Sequence, residues 1–240
     1  MKLLAFELAT EACSVALWVD GEVRERFELA PRRHAELALP WAGQLLADAG
    51  IAKSQLDAIA LGRGPGAFTG VRLAIAIGQG IALALDRPIV PISTLAALAA
   101  LAMQAPGPRA LAAIDARMGE VYSAAFELRD GDAVALTGET VGAPDAVQLP
   151  DGEHDWHGVG TGFGACDGAL RERLASRLGS IDATALPHAG DVARLAAIAF
   201  ARGEAFAPER VEPAYLRNNV ALTSREQQAL RDARDNLPLA

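Results

Sequence analysis

The chain has 240 residues, 51% of them hydrophobic, and its 22 lysines and arginines face 30 aspartates and glutamates for a net charge of −8. That balance excludes a disordered chain and a broad electrostatic grip on nucleic acid or anionic membrane, and leaves room only for a local basic site. Two cysteines, Cys13 and Cys166, are too few for a disulfide framework and have no zinc-site spacing, so a reducing, cytoplasmic setting is expected.

The amino-terminal "MKLLAFELATEACSVALWVDG" is apolar but broken by Glu7 and Glu11, and it carries no basic leader with a cleavage site. It reads as strands, and no segment reaches the roughly 18 uninterrupted apolar residues of a membrane span. "KLLAFEL", "ACSVALWV" and "EVRERFEL", joined by the "TE" corner and the Asp20-Gly21 turn, predict a β-meander. "HAELALPWAGQLLADA" sets Leu37, Trp41, Leu45 and Ala49 at near-helical spacing. Gly50 stops that helix, and Pro40 is expected to kink it or to mark its first turn. "LDAIALG" is a short buried strand. Thr69 is the expected N-cap of a helix to about Leu85, "RPIVPIS" the next strand, and 94–103 a second apolar helix.

The "APGP" cluster at 105–108 marks the internal boundary, after which the pattern restarts. "RALAAIDAR", "GEVYSAAFEL", a turn at Asp130-Gly131 and "AVALTGE" repeat strand, corner, strand, turn, strand, so two related α/β halves are expected. The organisation predicted is an amino-terminal lobe over 1–105, a carboxy-terminal lobe over 106–220 and a charged tail over 221–240. "GVGTGFGA" opens a third glycine-rich turn before a helix "CDGALRERLASRL", and "GDVARLAAIAFARG" is a further amphipathic helix. "PAYLRNNVA" has no assignable period.

The chemistry is sought first in "GRGPGAFTGVRLAIAIGQGIALAL", residues 62–85. A glycine-rich turn between strand and helix suits an anion. The stretch lacks the Gly-Lys-Ser/Thr end of a P-loop, the third glycine of a dinucleotide fingerprint and the serine of a nucleophile elbow. Its helix is more informative: Gly70, Ala74, Gly78 and Ala82 recur every four residues, so one face has almost no side-chain volume. That face packs either inside its own domain or against another subunit, together with the helix at 34–49. Arg72 in the first turn opposes the helix macrodipole and calls for a carboxylate or other polar partner.

Other candidates are weaker. His34 has no second histidine one turn on, because position 38 is alanine, so it reads as a capping or surface residue. His154, His157 and His188 stand in loop-like sequence without carboxylates at ligand spacing. Asp115 and Glu7 occupy equivalent strand ends in the two halves, where a nucleotide fold places a metal-bound carboxylate, although a glutamate reaches far for that task.

Residues 1–217 resemble the bacterial TsaB (YeaZ) family of tRNA threonylcarbamoyladenosine biosynthesis proteins. The central stretch carries the resemblance with "ATEACSVAL", "HAELALP", "LDAIALGRGPG", "PISTLAALA", "AIDARMGEVYSA" and "EPAYLR" in order. The chain departs from the family at Glu7, Leu8 and Ala9, where an aspartate and small hydroxyl residues are usual, and at Ala67, usually serine. The resemblance implies a two-lobed fold of the actin, sugar-kinase and heat-shock ATPase type. It also implies a non-catalytic relative of the TsaD subunit, which holds metal with two helix histidines, so no catalytic residue and no metal site are expected here. By the same resemblance the chain pairs with TsaD and recruits the ATPase TsaE. The complex then moves a threonylcarbamoyl group to the adenosine following the anticodon in tRNAs reading codons that start with A.

The implied partner surface comprises His34, Leu37, Trp41, Leu45, Gly70, Arg72, Ala74, Gly78 and Ala82, used for homodimers when TsaD is absent. No tightly bound cofactor is expected; the complex interface is the place for ATP or ADP with magnesium, Glu7 and Asp115 are the candidate nucleotide-proximal residues, and tRNA is reached through the complex. Two other readings stand beside this scaffold role: an ATP-dependent phosphotransferase using Glu7 and Asp115, and a metalloprotease.

Overall fold

In the computed structural model, which describes residues 1–104, 109–152 and 155–217, the inner strands of the first sheet send alternate side chains to two different cores. Strands β1 (Lys2–Glu7), β2 (Ala12–Val19) and β3 (Glu22–Leu29) form the antiparallel meander the sequence predicts. Strands β4 (Ala58–Gly62) and β5 (Ile89–Ile92) extend it in parallel, giving the order β3-β2-β1-β4-β5. Along β1, Leu4 and Phe6 join one core while Leu3 and Ala5 join another. Along β4, Ile59 and Leu61 separate from Ala58 and Ala60 in the same way.

The larger side chains meet α1 (His34–Asp48) and α2 (Phe68–Leu85), which cover one face of this sheet. The small ones meet α5 (Ala189–Ala201), whose alanines let the helix approach closely. Helix α3 (Thr94–Ala100) lies beside α5 and packs on the second sheet, so the two helices are sandwiched between the sheets. Nine of the 13 residues of α5 are buried, where the sequence pattern suggested an ordinary amphipathic helix.

The second sheet repeats the plan. Strands β6 (Arg109–Arg117), β7 (Glu120–Arg129) and β8 (Asp132–Ala135) form its meander. Strands β10 (Trp156–Val159) and β11 (Leu178–Asp182) add to it in parallel in the order β11-β10-β6-β7-β8, and β9 (Thr140–Gly142) pairs with β7. The outer face carries the short helix α4 (Ala169–Leu174) and a core around Trp156 and Phe163.

Three local expectations are corrected. Helix α1 runs unbroken from His34 through Pro40, which is exposed, so the carbonyl it leaves unpaired lies on the solvent side. Helix α2 starts one residue before Thr69, and its N-cap Ala67 supplies no side-chain bond. The helix predicted over 166–178 shrinks to α4, because Cys166 and Asp167 take φ of 52° and 55° and Leu178 already belongs to β11. The strands β9 and β10 are too short, three and four residues, to signal through periodicity. The "APGP" boundary, His154 and the charged tail fall outside the described residues.

Helix α2 has the length and mean hydropathy, 1.6, of a membrane span. Gly70, Val71, Ala74, Ile75, Gly78 and Ala82 are nevertheless buried on the sheet, so its apolarity serves packing on at least one side.

Candidate functional site

A cleft of about 850 Å³ opens between the β1–β2 corner, the start of α1 and the amino-terminal end of α2 on one side, and the end of β6 on the other. Residues 213–217 run along its mouth. The glycine-rich turn makes its wall by close backbone approach. The Ala67 N–H donates to the Ala9 carbonyl at 2.7 Å, and a Cβ on Gly70 would overlap the Leu8 carbonyl oxygen. The turn's glycines therefore let two backbone segments touch.

Of the two carboxylates set at equivalent strand ends, only Asp115 lines the cleft. Its Oδ1 accepts from the Arg117 N–H at 2.7 Å and its Oδ2 pairs with the Arg117 guanidinium at 2.8 Å. Glu7 is turned away from the cleft and is 1% exposed. Its carboxyl accepts from the Ala9 N–H at 2.8 Å and from the Thr94 hydroxyl at 3.1 Å, and it fills the space a side chain at Gly62 would need. Burial pushes its pKa up to about 7 from 4.5, against the smaller opposing effect of those hydrogen bonds. The placement of Glu7 beside a cleft nucleotide is thus corrected: its extra methylene folds the carboxyl back under the corner.

His34 neither caps α1 nor stands free. Its Nε2 lies 3.0 Å from both the Thr10 and Ala12 carbonyl oxygens and ties the helix to the β1–β2 corner. Ala38, one turn on, is fully buried, so that face has no room for a ligand. Among the described residues, no three His, Cys, Asp or Glu side chains gather as a metal site.

The small-residue stripe of α2 faces inward. A Cβ on Gly78 would stand 2.6 Å from Leu61, and Ala74 and Ala82 are fully buried, so Gly70, Ala74, Gly78 and Ala82 pack on the chain's own sheet. Leu45 is likewise a core residue, while Leu37 and Trp41 are half-buried against the same core. These five buried residues, expected at the partner surface, have no accessible side chain to offer it. The opposite face of α2 shows Ala76, Gly80, Ala84 and Leu83, the last 64% exposed, and a Cβ on Gly80 would meet nothing within 4 Å. Leu39, Pro40 and Gly43 form the exposed side of neighbouring α1.

Arg72 finds its polar partner, though not a carboxylate. Its Nε donates to the Tyr215 hydroxyl at 2.7 Å, and its guanidinium lies 3.7 Å from the Phe68 ring centre. Neither Phe68 nor Tyr215 was legible as a site residue; the only signal was the unclassifiable "PAYLR".

The halves are pinned elsewhere by polar contacts. Arg63 of the glycine-rich turn pairs with Glu139 at 3.1 Å. Glu25 of β3 accepts from the Ser14 hydroxyl at 2.6 Å and the Gly190 N–H at 3.1 Å, and lies 3.2 Å from His188 Nδ1, at the start of α5. Burial raises the Glu25 pKa, but the bonds from His188, Ser14 and Gly190 outweigh it and hold the carboxyl low. The same bond to Glu25 raises His188.

Two mixed sheets built on one plan, with helices between them and a cleft lined by both, define a two-lobed α/β protein of the actin, sugar-kinase and heat-shock ATPase type. The family model for TsaD, tRNA N6-adenosine threonylcarbamoyltransferase, matches residues 28–224. TsaB of Escherichia coli K12 is 44% identical over 92% of this chain and 96% of its own length. TsaB of Haemophilus influenzae is 36% identical over 92% and 95%. The solved structure of YeaZ from Pseudomonas aeruginosa superposes with a TM-score of 0.82 at 45% identity, covering 90% of this chain and 99% of that one. The chain belongs to the TsaB family of tRNA threonylcarbamoyladenosine biosynthesis proteins.

Proposed function

We propose that the chain is a scaffold or activator subunit with little activity of its own, pairing with a TsaD subunit through the outward faces of α1 and α2. Within that assembly it recruits TsaE, and the complex transfers the threonylcarbamoyl group to the adenosine following the anticodon. Without TsaD the same faces form a homodimer. The setting is the cytoplasm, and tRNA meets the chain only within the complex.

The observation that carries this reading is the second face of α2. Only six of the 18 residues of this apolar helix are buried, and its exposed side continues onto the exposed Leu39, Pro40 and Gly43 of α1. An apolar surface of that kind on a non-membrane fold is what a stable protein contact covers. Leu83→Glu tests it: the variant is expected to lose copurification with TsaD while keeping its thermal melt, and retained copurification would sink the assignment.

The cleft is roomy enough for a nucleotide, which supports ATP or ADP at the complex interface and keeps a phosphotransferase in view. Magnesium fits poorly. With Glu7 buried, Asp115 is the one inner carboxylate of the pair at the cleft, and both its oxygens already bind Arg117. Nucleotide turnover by the chain alone, abolished in Asp115→Ala, would favour the phosphotransferase.

A further inference from the structure

The cleft mouth carries an exposed aromatic patch where the amino-terminal end of α2 meets residues 213–217. Phe68 and Tyr215 are 55% and 54% exposed, with ring centres 6.4 Å apart at 35°. That separation is close to twice the rise of about 3.4 Å between stacked bases. The guanidinium of Arg72 lies over the Phe68 ring, 3.7 Å from its centre, and to the side of Tyr215, 5.5 Å from that centre. Arg72 forms no ion pair among the described residues, and neither does Arg32, which lines the cleft.

Arg117 and Arg217 line that cleft too. Arg117 is 79% exposed beyond its bond to Asp115, and Arg217 is held on Glu120 and on the Ala116 carbonyl. Asp115 and Glu120 offset Arg117 and Arg217, and Glu11 lines the same cleft, so the positive charge left without an ion pair beside the two exposed rings is that of Arg72 and Arg32. Exposed aromatics with unpaired arginines are the chemistry by which single-stranded RNA is held: rings stack on bases whatever their identity, and guanidinium groups stack or meet phosphate. Folded duplex offers no free base faces, so the surface suits a loop. A free nucleotide shares base and phosphate but spans fewer of the arginines.

We propose that Phe68, Arg72 and Tyr215, rimmed by Arg32 and Arg117, are a contact for an unpaired nucleotide of RNA, namely a loop of the tRNA presented to the complex. This rests on the scaffold reading for the source of the RNA, and it adds a direct tRNA contact to a subunit otherwise reached only through its partner.

The test uses the assembled complex with TsaD and unmodified tRNA. Ultraviolet crosslinking with peptide mass spectrometry is expected to place an RNA adduct on the peptides holding Phe68 or Tyr215. Phe68→Ala and Tyr215→Ala are each expected to weaken tRNA binding about fivefold or more. Arg72→Gln should flatten the salt dependence by about one charge. Affinity for TsaD, measured separately, should stay unchanged in Tyr215→Ala, whose residue lies outside α1 and α2. Adducts confined to the partner, or tRNA affinity unaltered in the variants, would overturn the proposal. So would loss of TsaD affinity with tRNA contacts intact, which would make the patch a protein contact, or displacement of the tRNA adduct by equimolar ADP, which would make it a mononucleotide site. Failure of the wild-type chain to bind TsaD at all would instead sink the scaffold reading, and the crosslink is then sought with the chain alone and an anticodon stem–loop, where its absence overturns the RNA contact as well.

Discussion

Replacing Glu7 by glutamine should remove a pH-dependent loss of stability that the fold carries at its centre. The carboxyl is buried with no cation beside it, and burial raises its pKa from 4.5 to about 7. A raised folded-state value means that the folded chain binds the proton more tightly than the unfolded one. The stabilisation is then complete below about pH 4.5 and is lost as pH rises through about 7. A displacement from 4.5 to about 7 corresponds to roughly 3 kcal/mol across that window. Glutamine keeps the shape and an acceptor for the Ala9 N–H, and its amide can face the Thr94 hydroxyl, but it has no proton to lose.

The assay is urea unfolding of both proteins at several pH values between 4.5 and 8.5, with the m-value checked for constancy. Every other titrating group is common to the two, so the difference between the curves isolates residue 7. That difference should move in favour of Glu7→Gln by about 2 to 3 kcal/mol from the acid to the alkaline end. Parallel curves would refute the reasoning, because they would mean the carboxylate is solvated or paired in solution.

Gly62→Ala puts a methyl group where the Glu7 carboxyl lies, so it should destabilise by several kcal/mol, and Glu7→Ala in the same chain should restore much of that loss. Ala38→His, which recreates a two-histidine helix pattern beside His34, should lower the melting temperature without creating zinc affinity by calorimetry, because position 38 is sealed in the core. The Glu25–His188 link has its own pH signature. The raised His188 contributes stability fully below about 6.5 and loses it as pH rises through its higher folded value. The lowered Glu25 contributes above about 4.5 and loses it as pH falls through its folded value. His188→Ala should therefore cost most between those limits and little at pH 9, as followed by thermal melts.

Much of the fold was legible because its signals are local. The meanders 2–29 and 109–135 announced themselves by strands separated with tight Asp-Gly turns, and the repetition of that pattern revealed the two halves. β9, β10 and β11 are parallel or edge pieces of three to five residues whose partners lie far off in sequence, so only tertiary pairing defines them. Spacing placed the helices α1 and α2, and the stripe Gly70-Ala74-Gly78-Ala82 indicated close packing. Spacing alone could not say against what, and the stripe packs on Ile59 and Leu61 of the chain's own β4. The face left open, through Ala76, Gly80 and Leu83, looks unremarkable in an already apolar helix. The Phe68–Arg72–Tyr215 group joins residues more than 140 positions apart, which no period can report.

The two glycines of "GQG" separate the packing of α2 from its proposed partner contact, two residues apart on opposite faces of one helix. Gly78→Arg drives a side chain into Leu61 and should abolish folding. Gly80→Arg meets open space, improves helix propensity by up to about 1 kcal/mol and should leave the melt at least as high as wild type. The decisive measurement is threonylcarbamoyladenosine formed on tRNA, by mass spectrometry, in a reconstitution with TsaD and TsaE using Gly80→Arg of confirmed fold. The account predicts loss of both TsaD association and modified nucleoside; wild-type yields of the two would contradict it.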